Sequence, residues 1–149
     1  MSKLVVDATG NDLTYRINGA AMVVHNKIGP GFKEEIYERA LKNELINLGI
    51  EVEDQHPVPV EVDGEQVGIF YLDLLVEGQV VVEIKAFAHL LTNDEIAQML
   101  NYLKATELQV GLLFNFGRRK LEHRRVFPSK DIKSAQRVGR DDVMKSERG

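Results

Sequence analysis

Residues 79–86 read QVVVEIKA, and the preceding stretch, residues 71–78, reads YLDLLVEG. Three consecutive valines and an isoleucine call for burial on both faces of a sheet. Glu83 and Lys85 do not, and standing two apart in a strand they point to the same side. Buried charge is costly unless it is paired or holds a metal. Asp73 lies on the strand before them, so one Asp from one strand and Glu-x-Lys from its neighbour can form a single patch. Two hard carboxylate ligands suit Mg²⁺ or Mn²⁺, which complete their shells with water and substrate phosphate oxygens. A neighbouring lysine can orient water or stabilise charge on a phosphorane oxygen. The bland alternative is an ordinary ion pair on an exposed sheet face.

Whether the two carboxylates meet depends on the hairpin. A two-residue loop, Glu77-Gly78, would set Asp73 opposite Val82 and turn Glu83 away. A three-residue loop Val76-Glu77-Gly78, with Gly78 left-handed, would set Asp73 opposite Val81 and keep Glu83 and Lys85 on its side. The shared patch therefore requires an odd-length loop or a bulge.

Outward from this hairpin, the pattern is that of one mixed α/β domain on one sheet. Ile17, Ala20, Ala21, Val24 and Ile28 fall at helical spacing, giving a helix over 15–27 that ends at the GPG of 29–31. A second helix is expected over 33–47, with Ile36, Ala40, Leu41, Leu45 and Leu48 inward and Gly49 ending it. Strands follow at 51–56 running into 58–62, at 66–76 after the Asp63-Gly64 turn, and at 79–86. Asn93 or Asp94 can cap a helix to about residue 105, with strands at 109–115 and 122–127. Residues 1–128 read as the domain and 129–149 as a basic, poorly ordered tail.

The chain has 149 residues, no cysteine and a net charge of −4. Disulfides and thiolate metal sites are thereby excluded, and a reducing, cytoplasmic setting fits. The N-terminus lacks the apolar core of a signal peptide, and no apolar run is long enough to span a membrane. The charge is uneven: residues 1–117 carry 8 Lys and Arg against 18 Asp and Glu, whereas residues 118–149 carry 11 against 5. A basic C-terminal segment can meet nucleic-acid phosphates, although a charge run alone is more often a solvated surface.

Further candidates lie on helices. Gln98 and Tyr102, four apart, share a helical face, as do Glu34 and Tyr37, three apart. Singly, each reads as an ordinary core or surface residue. Together, Asp73, Glu83-Ile84-Lys85 and Gln98-x-x-x-Tyr102 resemble the PD-(D/E)xK nuclease superfamily, in the RecB-like branch with a Q-x-x-x-Y motif. GPGFKEEIYERAL, DLLVEGQVVVEIKA, QMLNYLKAT and GLLFNFG resemble the small bacterial proteins of the GxxExxY family, whose signature here runs from Gly31 through Glu34 to Tyr37. The resemblance spans roughly residues 15–127.

It implies a restriction-endonuclease-like αβββαβ core with one central mixed sheet. It also implies a Mg²⁺- or Mn²⁺-dependent nuclease acting on DNA, as a possible homodimer or with a partner protein. Asp73 and Glu83 would be metal ligands, Lys85 the catalytic lysine, and Glu34 the helical acid near the metal. Gln98 and Tyr102 would support substrate or the lysine, and His25 would add a ligand, although a partly buried helix histidine reads equally well. Glu95 stands where a His is expected just ahead of the Gln. A non-catalytic nucleic-acid-binding or regulatory module with the same fold is the alternative.

Overall fold

The computed structural model describes residues 11–128; the expected tail at 129–149 lies outside them. The described residues form three helices and five strands: α1 (Asn11–Ile28), α2 (Glu34–Asn47), β1 (Val52–Val62), β2 (Glu65–Val76), β3 (Val80–Lys85), α3 (Asn93–Thr106), β4 (Val110–Asn115) and β5 (Glu122–Val126). The strands make one sheet in the order β1-β2-β3-β4-β5. Only β3 and β4 pair in parallel, joined through α3, and the other neighbours are antiparallel. This is the expected αβββαβ order with one mixed sheet. No described helix is long and apolar enough to cross a membrane.

Burial on both faces explains the valine run. Val80, Val82 and Ile84 pack with α1 and α2, while Val81 packs with α3. The same alternation sets Glu83 and Lys85 on the α3 side. In α2 the buried stripe is Tyr37, Leu41 and Leu45. Ile36 and Leu48, expected inward, are exposed. Tyr37 sets the phase of the helix, stacking on Phe116 at 4.7 Å between ring centroids. Its hydroxyl donates to the Gly29 carbonyl and accepts the Phe32 N–H at 3.2 Å. The ring therefore ties the loop at 29–32 to the core, where Gly31 adopts a left-handed φ of 108°.

That arrangement makes a prediction. Tyr37→Phe keeps the stacked ring but leaves a carbonyl and an N–H without their partner. Urea denaturation should show a loss of about 1–3 kcal/mol. A change below about 0.5 kcal/mol would mean that the hydroxyl holds nothing in place.

Prolines 57 and 59 do not divide β1, which runs unbroken through both. As the first strand in the sheet order it has an edge unpaired among the described residues, where a missing N–H is tolerated. The cap of α3 is Thr92, one residue before the expected Asn93 or Asp94. Thr92 and Glu95 form a capping box, with the Glu95 carboxylate taking the Thr92 N–H at 2.6 Å. Glu95, found where a His was expected, therefore has a helix-starting role.

Candidate active site

The β2–β3 hairpin decides whether the two carboxylates meet. Its last pair is Val76↔Val80, leaving the three-residue loop Glu77-Gly78-Gln79. The Gln79 N–H closes it on the Val76 carbonyl at 2.9 Å. Glu77 (φ 54°) and Gly78 (φ 64°) are both left-handed. The loop is odd-length, as the shared patch requires, but begins one residue later than expected. Leu74 pairs with Val82, so one further step sets Asp73 across from Glu83, not Val81.

At that step the regular ladder ends and the side chains take over. The Glu83 carboxylate (Oε2) accepts the Asp73 N–H at 2.9 Å, and the Asp73 carboxylate (Oδ2) accepts the Ile84 N–H at 2.8 Å. Each acid thus bonds backbone of the opposite strand. Strand β2 also changes face here, since Phe70 and Leu72 pack towards α3 but Leu74 and Val76 towards α1 and α2. The β1–β2 register skips Asp73 together with Gln55, which is left-handed at φ 52°.

Glu83 is 4% exposed, which rules out an ordinary ion pair on an exposed sheet face. Burial first, and then the Asp73 charge, push its carboxyl up to about 8. Burial also raises Asp73, while the Ile84 N–H and the Lys85 ammonium draw it back. Tyr102 is pushed up to about 12, by burial and then by the Glu83 and Asp73 charges, whose field reaches its hydroxyl. It stacks on Phe70 at 4.5 Å between centroids.

Two residues passed over in the sequence belong to this cluster. Glu38 accepts a hydrogen bond from the Gln55 amide at 2.9 Å. Its carboxyl is raised by burial, with the Asp73 charge adding to the effect. Glu38 lies one helical turn beyond Glu34 on the same face of α2, a signal available from spacing. Nothing in the sequence marks Gln55. Glu34 itself is exposed and, among the described residues, makes no hydrogen bond or ion pair. Gln98 is exposed one turn before Tyr102 on α3. His25 is buried, and its Nε2 donates to the Arg118 carbonyl at 2.8 Å.

The donor chemistry fits a divalent cation. Among the described residues, no three His, Cys, Asp or Glu side chains are grouped to hold a metal by themselves. Two desolvated carboxylates tethered through backbone N–H groups suit Mg²⁺ or Mn²⁺, whose remaining ligands come from water and phosphate.

Without metal, the raised Glu83 has a sign that can be tested. Below pH 4.5 the folded and unfolded chains both hold the proton. Between 4.5 and about 8 only the folded chain keeps it, so stability falls as pH rises, then levels above 8. At about 1.4 kcal/mol per unit, the effect is of the order of a few kcal/mol. In EDTA, the wild type should melt higher at pH 5.5 than at pH 8.5, and Glu83→Gln should narrow that gap. Superimposable pH profiles for the two proteins would contradict the assignment.

A family model described as the PD-(D/E)XK nuclease superfamily matches residues 11–126. No curated protein matches in sequence. Among solved structures, the crystal structure of SSO0001 is similar at 18% identity and a TM-score of 0.50. That match covers 74% of this chain and 57% of SSO0001, so the chain spans little more than half of that protein. An alkaline exonuclease (LHK-Exo) from Laribacter hongkongensis aligns at 13% identity and a TM-score of 0.49, covering 96% of this chain and 84% of that one.

Proposed function

Because the chain belongs to the PD-(D/E)XK nuclease superfamily, we propose that it is a divalent-metal-dependent nuclease hydrolysing phosphodiester bonds in DNA. Within the superfamily we assign it to the GxxExxY family and the RecB-like branch, on the Gly31, Glu34 and Tyr37 signature and the Gln98 and Tyr102 pair. The observation that carries the functional reading is the reciprocal bonding of Asp73 and Glu83 at the end of the β2–β3 ladder. It fixes two desolvated acids against each other at a cost that a bound cation would offset.

In this reading Asp73 and Glu83 would hold Mg²⁺ or Mn²⁺. Such an ion neutralises phosphate charge and makes water more acidic. Lys85, on the side of the strand that carries Glu83, orients the attacking water and stabilises negative charge on the phosphorane oxygens. Water gives a proton to solvent as it adds to phosphorus, the bond to the 3′-oxygen breaks, and that oxygen leaves as a hydroxyl after taking a proton from solvent. Tyr102 and Gln98 support the substrate or Lys85 from α3. Glu38, held by Gln55, takes the role of helical acid that the family signature suggested for Glu34. His25, bonded to the Arg118 carbonyl, serves as an anchor and not as a ligand.

The test is a cleavage screen of the full chain with Mg²⁺ or Mn²⁺, against EDTA. Single-stranded, double-stranded and branched DNA, and matching RNA, would be offered. Metal-dependent cleavage of DNA is expected. Cleavage of RNA alone would overturn the DNA assignment. Binding without cleavage in either ion would overturn the enzymatic reading in favour of a non-catalytic nucleic-acid-binding module.

A further inference from the structure

The GLLFNFG stretch, residues 111–117, is not accounted for by chemistry at Asp73 and Glu83. Its first five residues lie in β4, and Asn115, Phe116 and Gly117 make an unusual connection. Asn115 is fully buried and pairs with Lys85 across the parallel strands. Its Oδ1 accepts N–H groups from Phe87 at 2.8 Å and Gly117 at 3.1 Å. Its Nδ2 donates to the His89 carbonyl at 2.8 Å and to Glu122 at 3.1 Å. The Phe116 N–H donates to the Lys85 carbonyl at 2.8 Å. Gly117 presses so closely on the backbone just after Lys85 that a Cβ would lie 2.4 Å from the Phe87 carbonyl oxygen. From the far side, His25 bonds the Arg118 carbonyl at 2.8 Å.

The loop after β4 is therefore fastened to the chain that leaves Lys85, through a satisfied buried polar network of the kind that rigidifies. It carries Arg118, Arg119 and Lys120 in succession, the last two exposed. Among the described residues, none of the three makes a salt bridge. They follow a 117-residue stretch with 8 cations and 18 anions. Three cations on a loop whose backbone is held, next to the strand end that bears Lys85, complement a polyanion entering that site. Holding the loop backbone in advance lowers the ordering cost of binding.

We infer that Arg118, Arg119 and Lys120 form a phosphate-backbone clamp that seats a nucleic-acid strand at the Asp73–Glu83–Lys85 site, with Asn115 and Gly117 as its positioning residues. The inference rests on the nuclease reading for its substrate. Its contacts are with phosphates, so it holds the strand without reading sequence.

The experiment measures binding of fluorescent single- and double-stranded DNA, and matching RNA, to the full chain in EDTA over a salt series. Arg118→Ala/Arg119→Ala/Lys120→Ala should weaken binding about tenfold or more at low salt. It should also reduce the slope of log affinity against log salt by roughly 2–3 on duplex, at about 0.9 per phosphate contact. Arg118→Lys/Arg119→Lys, which keeps the charge, should retain binding within a few-fold. Gly117→Ala keeps every charge but displaces the loop, so it should fall between wild type and the alanine triple. Lys104→Ala, on α3, serves as the control and should change nothing.

Unchanged affinity and slope in the alanine triple would overturn the clamp, as would a wild type that binds no nucleic acid. Gly117→Ala binding like wild type while melting normally would overturn the positioning role. Cleavage with Mn²⁺, measured on the same proteins, separates the two ideas. A triple variant that cleaves with wild-type KM leaves the nuclease reading standing without the clamp. Clamp-dependent binding without cleavage does the reverse.

Discussion

Asp73→Asn and Glu83→Gln should each lower metal-dependent cleavage on the order of a thousandfold or more. Both changes preserve shape. The new amide oxygen can still accept the Ile84 or Asp73 N–H that the carboxylate accepts now. What disappears is charge, and Mg²⁺ and Mn²⁺ select charged oxygen ligands. Calorimetry should therefore show divalent-ion affinity falling at least about tenfold in each variant. Without metal, neither variant should be less stable at pH 8.5, because the lost charge is one the buried pair holds at a cost. An ion pair between Glu83 and Lys85 would behave in the opposite way, since Glu83→Gln would strand the lysine and destabilise the fold with or without metal. Retention of cleavage in either variant would remove that residue from the site.

Lys85→Ala should lose cleavage as completely, yet leave metal binding intact. The Lys85 ammonium is among the charges that draw both acids down. Its removal takes away a cation competing with the metal, and also makes Glu83 harder to ionise. These effects oppose each other near neutral pH. Well above 8, where Glu83 is ionised in both proteins, the first prevails and ion affinity should equal or exceed that of wild type. In EDTA the same variant should lose stability at alkaline pH, because the ionised acids lose their nearby countercharge. Lys85→Met, which keeps an aliphatic stem of similar reach, controls for lost packing. A fall in metal affinity as large as that of Glu83→Gln would make Lys85 part of the metal site's scaffold and not a participant in the chemistry.

The hairpin was legible because alternation and turn chemistry constrain each other. Asp73 and Glu83 could share a side only through an odd-length loop or a bulge, and an odd loop is present. Its position slipped by one because Val76, which could end β2 or begin the turn, pairs with Val80. The inward face of α2 was read from aliphatic spacing, which favoured Ile36 and Leu48. The phase is set instead by Tyr37, whose ring reaches Phe116 on the far side of the core. Such a contact joins residues distant in sequence and leaves no mark in local periodicity. The capping box was available in the order Thr92-Asn93-Asp94-Glu95, but Asn93 and Asp94 are good caps as well, and only geometry chooses among them.

The acidic pair and its lysine stood out because charges inside a valine-rich strand demand explanation. Glu38 did not, since a glutamate on a helix usually faces water. What distinguishes it is the Gln55 amide, and Gln55 reaches it from a left-handed turn of backbone that no residue type announces. The role of Asn115 was hidden in the same way. An asparagine ending a strand reads as a turn residue, whereas here it is fully buried and joins three segments of chain.

The central claim is that Asp73 and Glu83 together hold a divalent ion. Crystals of the full chain soaked in Mn²⁺ and measured at a wavelength with strong manganese anomalous scattering test it most directly. An anomalous peak is expected within bonding distance of both carboxylates, absent from Glu83→Gln crystals soaked in the same way. A wild-type map with no peak there, or a peak that persists unchanged in Glu83→Gln, would contradict it.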